Sequence, residues 1–157
     1  MTQPRGTTDS ETKAQQYFLA AEQQAAIIPD MPTDLPQRPI DTVGVIGAGT
    51  MGGGISMNMA NVGIPVTIVE TTQAALDRGL GIIRKNYENS ARKGRITEQD
   101  VTARCGLIRG SLDLNDLAEC DLIIEAVFEN MAVKRDIFGK LDSIAKSGSI
   151  LASNTSA

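Results

Sequence analysis

The chain of 157 residues contains no histidine, the commonest acid/base catalyst and a frequent metal ligand at neutral pH. Hydrolytic or redox chemistry that needs an imidazole therefore cannot be completed from these residues. Its two cysteines, Cys105 and Cys120, lie apart and make no Cys-x-x-Cys spacing, so neither a metal site nor a disulfide framework is expected. A net charge of −4 with an isoelectric point near 4.8 argues against a nucleic-acid surface. No apolar run approaches the length of a membrane span. The first residues have neither the apolar core of a signal peptide nor the Arg-rich bias of a transit peptide, so a cytoplasmic protein is expected.

What is present suffices for one domain: an apolar content of 41% in this length closes a single core. Residues 1–41 read as a separate preface. Ala14, Phe18, Ala21, Ala25 and Ile28 recur at helical spacing, and Pro29 ends that pattern. Pro32, Pro36 and Pro39 then favour stiff, extended backbone. An amphipathic helix and a proline-rich linker are expected, the helix packing on this domain or on a neighbour.

From residue 42 to 157 short β-type runs alternate with helical segments, the pattern of a parallel sheet covered by helices. The expected order is a strand at 43–47, a helix at 50–62 with Ile55, Met59 and Val62 on one face, and a strand at 66–70. Gly63 is placed to end the first helix in a left-handed turn. Thr72 caps a long helix with Leu76, Leu80, Ile83 and Tyr87 inward, and Thr97 caps a shorter one, making a helical hairpin. Strands follow at 106–109, 121–127 and 149–152, with a helix at 131–146 carrying Val133, Ile137, Leu141 and Ile144 inward. The class is α/β, a Rossmann-type doubly wound parallel sheet, expected to lack its last strands.

The chemistry lies in Gly47, Gly49 and Gly52, with Thr50 and Met51 between them. Gly47 permits the turn out of the strand, Gly49 leaves room for a pyrophosphate, and Gly52 lets the helix approach the sheet. The N–H groups and dipole of that helix suit the phosphates. Glycines alone are a weak signal, but here they join a strand to a helix, and an acid, Glu70, ends the next strand eighteen residues beyond Gly52. A carboxylate there accepts from ribose hydroxyls and repels the extra phosphate of NADP. Thr71 and Thr72 follow it with no arginine, so the expected cofactor is NAD.

These residues, with Ile-Glu-Ala-Val-Phe-Glu-Asn at 124–130, Lys134 and Ser-Asn-Thr-Ser at 153–156, resemble the NAD-binding part of the L-3-hydroxyacyl-CoA dehydrogenases of fatty-acid β-oxidation. The resemblance is in particular to the version embedded in multifunctional enoyl-CoA hydratase/dehydrogenase proteins, because Phe18 to Glu22, the prolines and Arg38 to Ile40 look like the connector from a hydratase domain. The resemblance implies that Ala126, Glu129 and Lys134 contact the nicotinamide-ribose side of NAD, and that Ser156 touches the substrate's 3-hydroxyl or 3-keto oxygen, with Asn154, also counted as cofactor-binding, beside it at the strand end. Read without it, Glu129 and Lys134 equally suit a surface pair, and Ser156 with Asn154 a capped turn.

Between residues 84 and 95, Arg84, Lys85, Arg92, Lys93 and Arg95 face only Glu88, a local excess of four positive charges. The resemblance places such a patch near coenzyme A, although a solvated helix face is the commoner meaning of a charge run. It also implies a catalytic histidine and its glutamate in a segment after Ser-Asn-Thr-Ser, together with a helical C-terminal domain, and neither lies within these 157 residues. The expectation is a chain that binds NAD(H) but has negligible turnover alone, taking 3-hydroxyacyl-CoA only when completed by a C-terminal domain. A stand-alone NAD-binding or docking module and a non-functional truncated remnant are the alternatives.

Overall fold

The computed structural model describes residues 9–25, 27, 32, 34–127 and 130–154. The chain divides into two compact units, Met1–Arg38 and Pro39–Ala157. In the first, helix α1 spans Asp9–Ala25 and leaves Phe18 exposed. Of the apolar stripe expected there, Ile28 lies outside the described residues.

The second unit runs β1 (Val43–Ile46), α2 (Thr50–Asn61), β2 (Val66–Val69), α3 (Gln73–Arg92), α4 (Glu98–Gly106), β3 (Ile108–Ser111), a 3-10 turn (Leu114–Leu117), β4 (Leu122–Glu125), α5 (Met131–Ile144) and β5 (Ile150–Ser153). Among the described residues five strands form one parallel sheet in the order β3-β2-β1-β4-β5. All four residues of the central β1 are buried, as a parallel strand covered on both faces requires. On one side Val43, Val45, Val66 and Ile68 pack with Leu76, Ile83, Tyr87 and Val101 from α3 and α4. On the other, Ile46, Val69 and Ile123 pack with Leu117 of the 3-10 turn and Leu141 of α5.

The helix ends follow local chemistry. Thr72 accepts from the N–H of Ala75, and Thr97 with Asp100 makes a reciprocal capping box. Burial is not what joins Asp100 to Thr97: its carboxyl is held below the ordinary carboxylate range first by the backbone N–H of Thr97 and then by that residue's hydroxyl. Gly63 at φ 86° closes α2 and Gly148 at φ 86° precedes β5, both in the left-handed region that glycine enters freely. Tyr87 carries the helical hairpin: its hydroxyl lies 3.0 Å from the carbonyl of Met57 and 3.2 Å from Oδ1 of Asn61, while the guanidinium of Arg104 stacks over its ring. Burial raises that hydroxyl above the usual tyrosine range.

Several boundaries and faces differ from the sequence expectation. Strand β3 starts two residues later than expected because α4 continues through Gly106 and Leu107 caps it. The 3-10 turn was not anticipated; Asp113 starts it by accepting from the N–H of Asn115. Val62, placed on the inner face of α2, is its C-cap and is 72% exposed. Val133, placed inward on α5, is 45% exposed, and the inward position belongs to the next residue, Lys134.

Candidate functional site

The strand order reverses between β1 and β4, which leaves a crevice at the carboxyl ends of those strands. In open parallel sheets this is where a dinucleotide lies, one half on each side. The turn leaving β1 is shaped by glycines with distinct physical reasons. Gly47 adopts φ 101°, donates to the carbonyl of Val69 at 2.9 Å, and would place a Cβ 2.9 Å from the carbonyl oxygen of Ala126. A Cβ on Gly52 would lie 1.9 Å from the carbonyl oxygen of Gly47, so α2 packs against the turn at a distance only glycine allows.

Gly49 is different. Its φ of −70° suits any residue, and a Cβ there would meet nothing within 4 Å. The folded protein gives no internal reason for a glycine at this position, and the space it leaves open lies at the start of α2. Gly49 is also the N-cap of that helix, so no side-chain cap bond satisfies the first-turn N–H groups. Thr50 and Met51, exposed, flank the same opening.

Glu70 follows β2 and reaches back to this turn. Its Oε1 accepts from the N–H of Ala48 at 2.7 Å and its Oε2 from its neighbour Thr71 at 3.0 Å. An ionised carboxylate has about four acceptor positions, so each oxygen keeps capacity for a ribose hydroxyl. The turn is held from the far side by α3, where Gly79 packs so closely that a Cβ would fall 2.4 Å from the Cβ of Ala48.

Across the crevice Ala126 leaves β4 and donates to the carbonyl of Ile46 at 2.9 Å. Beneath it a polar cluster joins Lys134, singled out from sequence, to Glu125 and Ser153, which pattern reading gave no role. The carboxylate of Glu125 is wholly buried; Oε1 accepts from the N–H of Val127 at 2.7 Å and Oε2 from the hydroxyl of Ser153 at 2.5 Å. The ammonium of Lys134 stands 3.3 Å from that Oε2, and Lys134 is 5% exposed. One acid thus gathers the ends of β4 and β5 and the first turn of α5. The signal was available: a carboxylate inside the apolar run of residues 122–127 must find a partner on burial.

Asn154 donates its N–H to the carbonyl of Glu125 at 2.8 Å, beside the cluster. Asn130 caps α5, its side-chain oxygen accepting from the N–H groups of Ala132 and Val133. Glu129 and Ser156, both singled out from sequence, lie outside the described residues. Arg84, Lys85, Arg92 and Lys93 are exposed on the second half of α3 or just past its end. Arg92 donates to Asn89. From Gly79, which touches the glycine turn, Arg92 is about 20 Å along the helix at 1.5 Å per residue. Arg84, by the same measure, is only about 7.5 Å from Gly79, so the patch runs along α3 away from the glycine turn.

The model of the 3-hydroxyacyl-CoA dehydrogenase NAD-binding domain matches residues 42–157. The chain belongs to that family. NAD is accordingly the cofactor of this fold, and the open space at Gly49, the bare start of α2 and the spare acceptors of Glu70 fit it. The 3-hydroxybutyryl-CoA dehydrogenase of Mycobacterium tuberculosis is 42% identical over 118 residues, which are 74% of this chain and 41% of that protein. A peroxisomal fatty acid beta-oxidation multifunctional protein of Arabidopsis thaliana is 34% identical over 147 residues, 92% of this chain and 20% of that protein. The crystal structure of the (S)-3-hydroxybutyryl-CoA dehydrogenase from Ralstonia eutropha superposes with a TM-score of 0.74 at 38% identity, over 76% of this chain and 42% of that one. The NAD-binding domain described here thus spans about two-fifths or less of the length of these relatives.

Among the described residues no group of histidine, cysteine, aspartate or glutamate could hold a metal ion, and no helix is long and apolar enough to cross a membrane.

Proposed function

We propose that this chain is the NAD(H)-holding part of a 3-hydroxyacyl-CoA dehydrogenase, acting in the oxidation of L-3-hydroxyacyl-CoA to 3-ketoacyl-CoA. The observation that carries the reading is Gly49, a glycine that nothing inside the protein demands, at the uncapped start of α2 and facing the same opening as Glu70. In this reading the pyrophosphate lies on the N–H groups of Thr50 to Gly52, with Met51 at the rim, and the adenosine ribose on Glu70. The second nucleoside lies toward Ala126, Glu129, Lys134 and Asn154, and Ser156 meets the substrate oxygen. Bound NAD supplies the hydride acceptor. The hydroxyl proton needs a base at neutral pH, and the histidine-free chain offers none of the usual kind. Turnover therefore requires groups beyond these residues, a C-terminal domain in the proposed arrangement.

An upstream hydratase domain fits the multifunctional relative, whose matched region takes in most of this chain. The exposed cations Arg84, Lys85, Arg92 and Lys93 suit the phosphates of coenzyme A. Cys105 and Cys120 are both free thiols, which fits a reducing, cytoplasmic setting.

The test is calorimetric titration of the purified chain with NADH and NADPH, followed by an assay of acetoacetyl-CoA reduction. Saturable binding of NADH with little binding of NADPH and no turnover is expected. Absence of NADH binding would remove the cofactor assignment, and turnover by the chain alone would remove the need for outside groups.

A further inference from the structure

We infer that Glu125 is a positioning residue for the nicotinamide half of the dinucleotide, holding Lys134 beside the floor of the β4 side of the crevice. The inference rests on the proposed NAD(H) site and adds a residue to it. The cluster ties three elements together, but with an ion pair where apolar contacts would also serve. Removing a glutamate and a lysine from water costs several kcal/mol per ion, and a buried pair is often no more stabilising than apolar side chains of similar volume. Leucine and isoleucine fill the equivalent layer beneath it, at Ile123 and Leu141, both fully buried. An ion pair at this level does something that those side chains cannot.

Its location says what. Glu70 and the glycine turn mark the β1 and β2 side of the crevice as the place of the adenosine and the pyrophosphate. A dinucleotide straddles the reversal in strand order, so the second ribose falls over the carboxyl ends of β4 and β5. Glu125 ends β4, Ser153 ends β5 and Lys134 lies in the first turn of α5, and the three side chains meet at the Glu125 carboxylate. That carboxylate is fixed on its other oxygen by the N–H of Val127, so it cannot turn away from Lys134 without breaking a 2.7 Å bond. A lysine stem has four rotatable carbons and carries rotamer entropy that must be lost before its ammonium can serve a ligand. Glu125 removes that freedom before the ligand arrives. The ammonium of Lys134 thereby stays beside the crevice floor, poised for the hydroxyls of the second ribose.

The test compares two ligands on the intact chain: NADH, which has the second ribose, and ADP, which lacks it and reports only the half that Glu70 and the glycine turn hold. Glu125→Gln should weaken NADH by about tenfold or more, the scale of one charge-assisted hydrogen bond, and leave ADP unchanged. The double variant Glu125→Gln/Lys134→Met, which leaves neither charge of the pair, should show the same loss, because Glu125 acts through Lys134. Equal losses for NADH and ADP, or NADH binding by Glu125→Gln like that of the unmodified chain, would show the cluster to be architectural and overturn the inference. If Glu125→Gln does not fold, the double variant decides alone, and unaltered NADH binding by it overturns the inference. Failure of the unmodified chain to bind NADH would instead sink the proposed site itself, and the role of Glu125 with it.

Discussion

Glu70 and Ala48 are joined by a 2.7 Å hydrogen bond from a backbone N–H to a carboxylate, linking the end of β2 to the middle of the glycine turn. The acid proposed to select the cofactor is thus also a strut of the glycine turn. Glu70→Gln separates the two tasks, because an amide oxygen can still accept from Ala48 while the negative charge is gone. We expect NADH to bind about 10- to 100-fold more weakly, since hydrogen bonds to charged groups are worth about 1.5–3 kcal/mol. NADPH should lose less or gain, having lost a repelling neighbour. Calorimetry with both nucleotides checks this, and an unchanged NADH to NADPH ratio would contradict the assignment of Glu70.

Gly49 and Gly52 separate binding from folding. Gly49→Ala introduces a methyl into open space at an ordinary φ, so stability should change by no more than about 1 kcal/mol. NADH affinity should nevertheless fall at least tenfold, because the methyl occupies ligand space. Gly52→Ala puts its Cβ 1.9 Å from the carbonyl oxygen of Gly47 and must push α2 off the sheet. The loss should be at least the ~1–3 kcal/mol typical of overpacking, visible as a lower Tm without ligand. Similar Tm values for the two variants would refute this division.

A second pair of glycines on α3 makes the same point at a distance. Gly79→Ala brings a Cβ to 2.4 Å from the Cβ of Ala48 and 2.6 Å from its carbonyl oxygen. The cost should be about 1–3 kcal/mol, and NADH binding should weaken because the displaced residue is in the glycine turn. Gly81→Ala, two residues on, meets nothing within 4 Å and should stabilise the helix by about 0.5–1 kcal/mol. Thermal melts with and without NADH measure both effects.

How much of this was legible depends on whether the signal was local. The Gly47, Gly49 and Gly52 turn and the caps at Thr72 and Thr97 are written in adjacent residues, and the structure shows the turn and both caps. The alternation of strands and helices gave the Rossmann sheet for the same reason. The inner face of α5 was misread by one position because hydrophobic periodicity assigns a valine inward and a lysine outward. Lys134 is inward because its partner is Glu125, nine residues earlier on another element, whose carboxylate also accepts from Ser153 on a third. Gly79 was silent for a similar reason: its close contact is with Ala48, thirty-one residues away. Pattern reading finds what a segment must be and misses what two segments require of each other.

The opposite end of the sheet, at the amino ends of its central strands, carries a titratable clasp that should govern acid stability without touching the cofactor. Oδ1 of Asp121 lies 2.6 Å from the ammonium of Lys146, while Oδ2 accepts from the N–H groups of Asp41 and Thr42, each at 2.9 Å. This clasp joins the residues just before β1 to those just before β4. The Lys146 ammonium, then the two backbone donors, hold the Asp121 carboxyl well below the usual carboxylate range. A carboxyl depressed in the folded state adds stability that is present above its unfolded pKa of about 4 and is lost as pH falls through the folded value. The same contact raises Lys146 above the ordinary lysine range, and that contribution is present below the unfolded pKa of about 10.4 and fades as pH rises through the folded value. Asp121→Asn should therefore lower Tm most between about pH 5 and pH 9, with the difference from the unmodified chain shrinking below about pH 4. Taking the difference cancels the other carboxylates, which titrate in both proteins. NADH affinity at pH 7 should be unchanged, since the clasp lies at the amino ends of the strands. A Tm difference that stayed constant down to pH 2 would show that Asp121 contributes by shape rather than by charge.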